Sequence, residues 1–331
     1  LPKAKVNFHN LSIQNGYFEC DKDCEVTFSN FNIMGGKGMI CNDASLIDLN
    51  KGLLENTPMI FEKVKSVKIA ETRFESYQNQ RAMMFTNCKQ VIISSSNFEN
   101  CGYDLNLSEK QDGGAIKASD SYILIQRCNF EKCTSSSDGG ALSFWNCVHW
   151  ILDSKFFECH SAVNGGGMSI QGEEYAGSDL LNDEFLVYLD YSALGGRSIT
   201  KDSEFIRCSA NDSGGGFFDY HRTIKFYGCL FEKCSAKNTG GGGTYKSKDG
   251  DSYTYYAGPW GYNRIKNCRF VENTAKEGDG LWSAFFNCID HSNENPCAAN
   301  NDIVDSIFHK CSTNHDHYKN SPDSSCTCYL P

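Results

Sequence analysis

The 331-residue sequence lacks the features of proteins that bind nucleic acids or cross membranes. It has 31 Lys and Arg residues against 41 Asp and Glu residues, a net charge of −10, and no run rich in Lys and Arg. Phosphate backbones require a basic surface, so nucleic acid is not expected as a partner. No stretch approaches the roughly 18 consecutive apolar residues of a membrane span, so we expect membrane attachment only through segments outside this chain.

Most motifs that carry chemistry are also missing. There is no phosphate loop, no dinucleotide fingerprint and no Ser-His-Asp order. Paired Cys-x-x-Cys knuckles are absent, and the one-residue gap of Cys326-Thr-Cys328 suits a zinc-chelating loop poorly. Asp249-Gly-Asp251 matches only part of a calcium loop. We therefore predict no catalytic residues, no metal site and no cofactor.

What the sequence does contain is a repeat of about 25 residues. Its pattern is Phe-x-x-Cys, five further residues, then Gly-Gly. Complete copies begin at Phe130, Phe156, Phe205 and Phe231, and looser copies begin at Phe98, Phe270 and Phe308. Four equal offsets of this kind indicate one structural unit that recurs along the chain.

The composition of the unit selects a β-structure. Helical repeats need apolar residues at 3.6-residue spacing and few glycines, whereas these units are rich in Gly, Ser and Asn. Between the turns, short runs such as Tyr122–Gln126 and Val91–Ser94 alternate with a period of two. Gly-Gly supplies a corner with positive φ. We therefore predict an all-β fold, a right-handed parallel β-helix (a solenoid) with three short strands per coil.

We expect one β-helix domain over residues 1–331, with about eleven coils. Residues 1–73 are divergent N-terminal coils, and residues 74–289 are regular coils with insertions at 172–197 and 247–262. Residues 290–331 are a cysteine-containing C-terminal coil or cap.

Twelve of the 18 cysteines occupy repeating positions. Stacked equivalents lie about 4.8 Å apart, whereas a relaxed disulfide needs Cβ atoms about 3.8 Å apart, so we expect these thiols to be buried and reduced. The six outside the register are Cys20, Cys24, Cys41, Cys297, Cys326 and Cys328. Among them we predict a disulfide between Cys20 and Cys24, and another between Cys297 and either Cys326 or Cys328.

Some of these motifs match a known family. Gly113-Gly-Ala-Ile116, Gly139-Gly-Ala-Leu142 and Phe270-Val-Glu-Asn273 resemble the GGA(I/L/V) and FxxN repeats of polymorphic outer-membrane proteins. The resemblance covers roughly residues 98–311, although this sequence mostly has Cys where the family has Asn. It implies a surface-displayed β-helix that serves adhesion or host contact and has no catalytic residues.

Three N-glycosylation acceptor sequences, at Asn10, Asn106 and Asn211, are compatible with an extracellular or cell-surface location. Asn211 falls in the turn between Phe205 and Gly214, which we expect to be exposed.

The two insertions are rich in aromatic residues. We expect them to leave the same corner two rungs apart, about 10 Å, and to form a recognition surface for a host glycan or protein. The predicted contact residues are Tyr175, Tyr188, Tyr191, Tyr253, Tyr255, Tyr256, Trp260 and Tyr262, with Trp260 and Tyr256 as the main anchors. The other interpretation is that these aromatic residues only cover a sheet.

Two further functions stay open. The first is a carbohydrate-active enzyme, a polysaccharide lyase or hydrolase, for which Arg264-Ile-Lys266, His149 and Asp219 are the remaining hints. The second is a structural scaffold or filament component in the cytoplasm, which reduced thiols would suit. The main prediction is a non-enzymatic adhesion or recognition module.

Overall fold

The computed structural model describes residues 4–172, 198–220, 225–246, 263–276, 281–283, 301–304 and 306–310. These residues form 32 β-strands and no helix. Accordingly, none of the described segments is a helix long and apolar enough to span a membrane.

The strands are β1 Lys5–His9, β2 Ser12–Cys20, β3 Glu25–Asn42, β4 Leu46–Glu55, β5 Met59–Glu62, β6 Ser66–Ala70, β7 Arg73–Glu75, β8 Met83–Thr86, β9 Val91–Ser94, β10 Asn97–Glu99, β11 Ile116–Ser119, β12 Tyr122–Gln126, β13 Asn129–Glu131, β14 Thr134–Ser135, β15 Leu142–Trp145 and β16 Val148–Leu152. They continue with β17 Lys155–Phe157, β18 His160–Ser161, β19 Met168–Gln171, β20 Ile199–Lys201, β21 Glu204–Ile206, β22 Ser209–Ala210, β23 Phe217–Tyr220, β24 Lys225–Tyr227, β25 Leu230–Glu232, β26 Ser235–Ala236, β27 Gly243–Lys246, β28 Asn263–Lys266, β29 Arg269–Val271, β30 Leu281–Ser283, β31 Asn301–Val304 and β32 Ile307–His309.

Parallel pairing between successive repeats arranges these strands into three ladders, which we call faces A, B and C. Face A contains β5, β8, β11, β15, β19, β23, β27 and β30. Face B contains β6, β9, β12, β16, β20, β24, β28 and β31. Face C contains β7, β10, β13, β17, β21, β25, β29 and β32. This confirms the predicted all-β architecture of parallel strands and is consistent with a solenoid.

The early strands continue through corners at which the later repeats have separate strands. β3 pairs with β4 through residues on faces B and C, and its last residues pair with β5 on face A. β4 likewise pairs with both β6 and β7. Along face C, the ladder from β2 through β3, β4 and the eight later strands contains eleven segments among the described residues.

Four repeats carry a fourth strand that the sequence pattern did not predict. The two-residue strands β14, β18, β22 and β26 pair in a small ladder between faces C and A. They directly follow the cysteine of each Phe-x-x-Cys motif, where the chain stays extended before it reaches the Gly-Gly corner.

The phenylalanines of the repeat form the centre of the core, as predicted. Phe130, Phe156, Phe205 and Phe231 are fully buried and face one another in register. Their successive ring centroids are 4.9, 4.5 and 4.9 Å apart, with the ring planes within 12° of parallel. Offset stacking of this kind adds to the free energy gained by burying each ring.

The corners depend on left-handed residues, and most of these are not glycine. The first Gly of each Gly-Gly pair has a positive φ, for example 70° at Gly139. The residue before each repeat cysteine also has a positive φ, for example 52° at Lys132 and at Glu158. The N–H of Lys132 donates to the carbonyl of Phe157 in the next repeat at 2.9 Å, so pairing between repeats offsets the cost of this backbone conformation.

Cysteines fill the small buried position that follows a corner. Sγ of Cys159 donates to the Phe130 carbonyl at 3.4 Å, and Sγ of Cys234 donates to the Phe205 carbonyl at 3.2 Å. At the equivalent position in the next repeat, Asn273 Nδ2 donates to the Phe231 carbonyl at 3.0 Å. The cysteine thiol and the asparagine amide therefore donate to the same acceptor, the main-chain carbonyl of the repeat phenylalanine one repeat earlier. The eleven cysteines of the described residues other than Cys20 and Cys24 are all buried.

The expected register of three N-terminal cysteines is wrong. Cys41 pairs in register with Cys20 on one side and Phe61 on the other, so it belongs to the core column of face A. Cys24 occupies the same corner position as Ala44, and its carbonyl accepts from Ser45 N at 2.9 Å. The earliest repeats are about 20 residues long, since Val26 pairs with Ile47 and Ile47 with Val67, and this shifts the spacing.

Cys20 and Cys24 form a disulfide whose Cα atoms are 6.5 Å apart. Cys297, Cys326 and Cys328, the other predicted disulfide partners, lie outside the described residues.

Candidate functional site

The predicted aromatic contacts cannot be placed, but the points where their segments leave the sheet can. Tyr175, Tyr188, Tyr191, Tyr253, Tyr255, Tyr256, Trp260 and Tyr262 lie outside the described residues. The first segment follows β19 and the second follows β27. Both strands pair with β23, so the two segments leave face A two rungs apart, as predicted.

The predicted glycosylation sites differ in exposure. Asn10 and Asn106 are exposed. Asn211 is half-buried rather than exposed, and Ser213 of its acceptor triplet is buried and accepts a hydrogen bond from Thr239 Oγ1 at 2.9 Å. The reason is that this turn pairs with its equivalents in neighbouring repeats.

The outer sides of faces B and C offer little to a ligand. The outer side of face B carries a buried apolar cluster, formed by Tyr122, Leu124, Val148, Trp150 and Ile199. The outer side of face C and its corner carry charged residues in exposed ion pairs, such as Lys155 with Glu204 at 3.5 Å and Arg207 with Glu158 at 3.3 Å. Exposed pairs of this type contribute little free energy and are typical of a solvated surface.

The outer side of face A is different, because one column of its outward side chains contains a half-exposed tryptophan. In β15, Leu142 and Phe144 point to the core and Trp145 points outward with 49% of its surface exposed. Trp145 pairs in register with Ser119 on one side and Gln171 on the other. Gln171 in turn pairs with Tyr220, which is half-buried. We call Ser119, Trp145, Gln171 and Tyr220 the Trp145 column.

Polar side chains from the Gly-Gly corner lie beside this column. Gln171 Nε2 donates to Asp138 Oδ2 at 2.6 Å and to Ser169 Oγ at 3.1 Å. The Asn164 N–H donates to Asp138 Oδ1 at 3.0 Å. Two donors therefore hold the Asp138 carboxylate, and Asp138 and Ser169 together fix the amide of Gln171.

A second carboxylate lies one repeat earlier. Lys117 Nζ contacts Asp112 Oδ2 at 2.8 Å, and the Asp138 N–H donates to Asp112 Oδ1 at 3.4 Å. Burial raises the pKa of Asp138, and the charge of Asp112 adds to that rise. Burial also acts on Asp112, but the hydrogen bond and charge of Lys117, together with hydrogen bonds from Ser137 and the Asp138 N–H, outweigh it and lower the pKa of that carboxyl. The two acids therefore differ in proton affinity although they are neighbours.

The other acid–base candidates lie inside the core. His149 is buried, with its ring centroid 5.2 Å from that of Phe144. Asp219 is buried and pairs in register with Tyr245. Burial, followed by the charge of Asp219, raises the pKa of Tyr245 well above its usual value. A polysaccharide could not reach these groups while the strands remain paired.

Arg264 and Lys266, the third hint of an enzyme, lie on β28 of face B, away from the two carboxylates of the Gly-Gly corner. In the parts of the chain that the structure describes, no three His, Cys, Asp or Glu side chains are arranged to hold a metal ion.

Sequence reasoning missed Trp145, although the signal was present. Leu142-Ser-Phe-Trp145 alternates with a period of two, so placing Phe144 inward places Trp145 outward. The carboxylates at 112 and 138 precede the Gly-Gly pairs, where the repeat pattern alone gives no reason to expect contact between repeats.

Comparison with known proteins adds no identity to this site: no family model matches the chain, and no curated protein matches it.

Proposed function

We propose that the chain is a right-handed parallel β-helix that serves as a non-enzymatic adhesion or recognition module outside the cell or at its surface. It binds a host glycan through the outer side of face A, and the resemblance to polymorphic outer-membrane proteins supports this role. The observation that carries the proposal is Trp145, a large aromatic residue half exposed in the middle of a regular sheet. Tryptophan is enriched where proteins bind partners, because it gives a large contact area at low entropic cost.

The surroundings of Trp145 suit a glycan better than a protein. Protein interfaces have contiguous apolar centres, whereas the neighbours of Trp145 are a serine and an amide. Sugars combine apolar ring faces with hydroxyl groups, so an aromatic ring beside fixed hydrogen-bonding groups matches both. The two aromatic-rich segments also begin at the C-terminal ends of strands on this face. Trp260 and Tyr256, the anchors that the sequence predicts, belong to the second of these segments.

Binding of the whole chain to a glycan array and to host cells tests the proposal. Trp145→Ala should weaken binding at least about tenfold, since removing a central aromatic contact costs more than about 1 kcal/mol. Tyr17→Ala is the matched control, because Tyr17 is also 49% exposed but lies far from face A of the later repeats. Deletion of 249–261 should also reduce binding while the circular dichroism spectrum stays unchanged. If binding survives Trp145→Ala, the site lies elsewhere. If the chain binds only a protein, the proposal of glycan recognition is wrong.

A carbohydrate-active enzyme is the second candidate, and the unequal carboxylates favour it. A carboxyl with a raised pKa beside one with a lowered pKa is the arrangement that acid–base cleavage of glycosidic bonds uses. Release of reducing ends from the glycans that bind would support this function, and loss of that activity in both Asp138→Asn and Asp112→Asn would assign it to this pair. Binding without cleavage would support the recognition module.

A further inference from the structure

We propose that the Trp145 column binds an extended, β-linked polysaccharide that runs along the direction of strand stacking, with alternate sugars on Trp145 and Tyr220. This inference rests on the proposed glycan recognition and adds the class of glycan and its direction.

The spacing of the column is the first support. Trp145, Gln171 and Tyr220 are consecutive partners in the same register, so all three point outward from one line across the sheet. Neighbouring strands lie about 4.8 Å apart, which places the two aromatic residues about 10 Å from each other. In an extended β-1,4-linked chain each sugar is turned over relative to its neighbour. Alternate sugars therefore present the same ring face, and they recur at close to two strand spacings.

The order of side chains is the second support. An aromatic residue, an amide and an aromatic residue follow one another, so the two platforms are separated by a polar group. The Gln171 amide is held by Asp138 at 2.6 Å and by Ser169 at 3.1 Å. Both amide N–H groups are thereby used, so a sugar between the two platforms would meet the Gln171 carbonyl oxygen as an acceptor that is already oriented, which reduces the entropy lost on binding.

The packing of Tyr220 is the third support. Its ring is stacked with that of Phe218, with centroids 6.2 Å apart and planes 12° from parallel. Phe218 lies two residues earlier on the same face of the strand and is only 3% exposed, so its buried ring limits the positions that the neighbouring tyrosine ring can take. Trp145 likewise has a small neighbour, Ser119, which leaves the indole accessible on that side. The ring of Tyr220 is therefore oriented by its neighbour on the same strand, and the indole of Trp145 is open on the Ser119 side.

The geometry predicts a dependence on chain length and linkage. A chain must span at least three sugars to contact both aromatic residues, whereas a disaccharide contacts only one of them. A curved α-linked chain does not keep alternate ring faces in line, so it gains nothing from the second platform.

Titration calorimetry of the full chain with defined oligosaccharides tests this inference. The probes are β-1,4-linked oligomers of glucose and of N-acetylglucosamine with two to six sugars, with α-1,4-linked glucose oligomers of the same lengths for comparison. Affinity for at least one β-linked series should rise about tenfold from two sugars to four and then level off. Trp145→Ala and Tyr220→Ala should each reduce the affinity for the longer chains to that for the disaccharide. Tyr17→Ala should change nothing, and unchanged denaturation midpoints would show that the variants fold.

The outcomes separate this inference from the proposed function. If a glycan binds and Trp145→Ala weakens it, but chain length and Tyr220→Ala have no effect, the face recognises a single sugar and only the extended-chain inference fails. If α-linked and β-linked chains of equal length bind equally well, the inference also fails while glycan recognition stands. If none of these oligosaccharides binds, this inference is overturned, and the array and cell-binding experiment then decides separately whether another glycan or a protein is recognised.

Discussion

The repeats before residue 74 and those after it build the same three faces in different ways. The early repeats are about 20 residues long, and β3 and β4 pass through their corners without a break. The later repeats are longer because the Gly-Gly corner and the short fourth strand are added between faces C and A. At the corresponding early corner, Thr57 Oγ1 donates to the Glu55 carbonyl at 2.9 Å and satisfies the backbone without any charge.

The difference shows where a regular scaffold gains room for a site. Only the later corners hold Asp112 and Asp138, and only the later part of face A carries Trp145 and Tyr220 on its outer side. The same corners need glycine, since a Cβ on Gly140 would overlap the backbone of Gly166 and of His160. At the later corners, this close approach brings Asp138 of one repeat into contact with Gln171 of the next.

The largest expected effect is the loss of a central phenylalanine. Phe205→Ala should lower the free energy of unfolding by about 3–5 kcal/mol, because the fully buried ring contacts Phe156 and Phe231 at 4.5 and 4.9 Å. Leu54→Ala, at the equivalent early position, should cost about 2–5 kcal/mol. Chemical denaturation measures both. The adjacent, half-buried Phe157→Ala is the control, and a loss below about 1 kcal/mol for Phe205→Ala would mean that the ladder is not the core.

A glycine exchange should show how tightly the Gly-Gly corner packs. Gly140→Ala should cost about 3 kcal/mol, at the upper end for overpacking, because the added methyl group meets only backbone atoms. Gly52→Ala in the early repeats should cost less, since its methyl group meets the Phe31 ring, which can shift. Denaturation of both variants gives the comparison. Equal losses would show that the Gly-Gly corner is not specially tight.

Alkaline pH should destabilise the chain through its buried thiols. Burial raises the pKa of Cys128 to about 12, so the folded chain keeps the proton that the unfolded chain releases above about pH 8.5. Stability is therefore complete below pH 8.5 and falls as the pH rises towards 12. Between pH 7 and pH 10, one such thiol should lower the free energy of unfolding of the chain by about 2 kcal/mol.

The variant Cys128→Ser isolates this thiol. Serine occupies the same corner position at Ser154 and Ser203, so the exchange should be tolerated. The loss of stability between pH 7 and pH 10 should be smaller in Cys128→Ser by about the contribution of one thiol. An identical pH dependence in the variant and the parent chain would mean that Cys128 is not buried.

Much of this fold could be predicted from the repeat, and the exceptions have physical causes. The Phe-x-x-Cys spacing places a buried ring and a buried thiol in every later repeat, so the core ladder followed directly. Cys41 was misassigned because the early repeats are shorter and lack the phenylalanine that marks the register. The left-handed residue at Lys132 left no signal, because its cost is offset by pairing with the next repeat rather than by its own side chain.

The candidate site was less predictable than the fold. The insertions correctly indicated the corner from which the aromatic-rich segments leave, but the contacts around Trp145 come from three repeats. Asp138 meets Gln171 across 33 residues of sequence, and nothing local in the chain requires that contact.

The smallest expected effect concerns the two carboxylates, and it distinguishes their opposite roles. The pKa of Asp112 is lowered, so its contribution to stability is present above the unfolded value of about 3.9 and is lost as the pH falls. The pKa of Asp138 is raised, so its contribution is present below that value and is lost as the pH rises through the folded pKa.

Asp112→Asn should therefore make the chain less sensitive to acid between about pH 5 and pH 3, and Asp138→Asn should make it more sensitive. Both changes should amount to a few tenths of a kcal/mol, about the size measured for partly exposed charge pairs. Unfolding free energies at pH 3, 4, 5 and 7 would show them, with the exposed Asp43→Asn in the early repeats as the control for a general change in net charge. If both variants shift the acid response in the same direction, the pKa values of Asp112 and Asp138 are not shifted in opposite directions. The argument for an acid–base pair at this corner then fails.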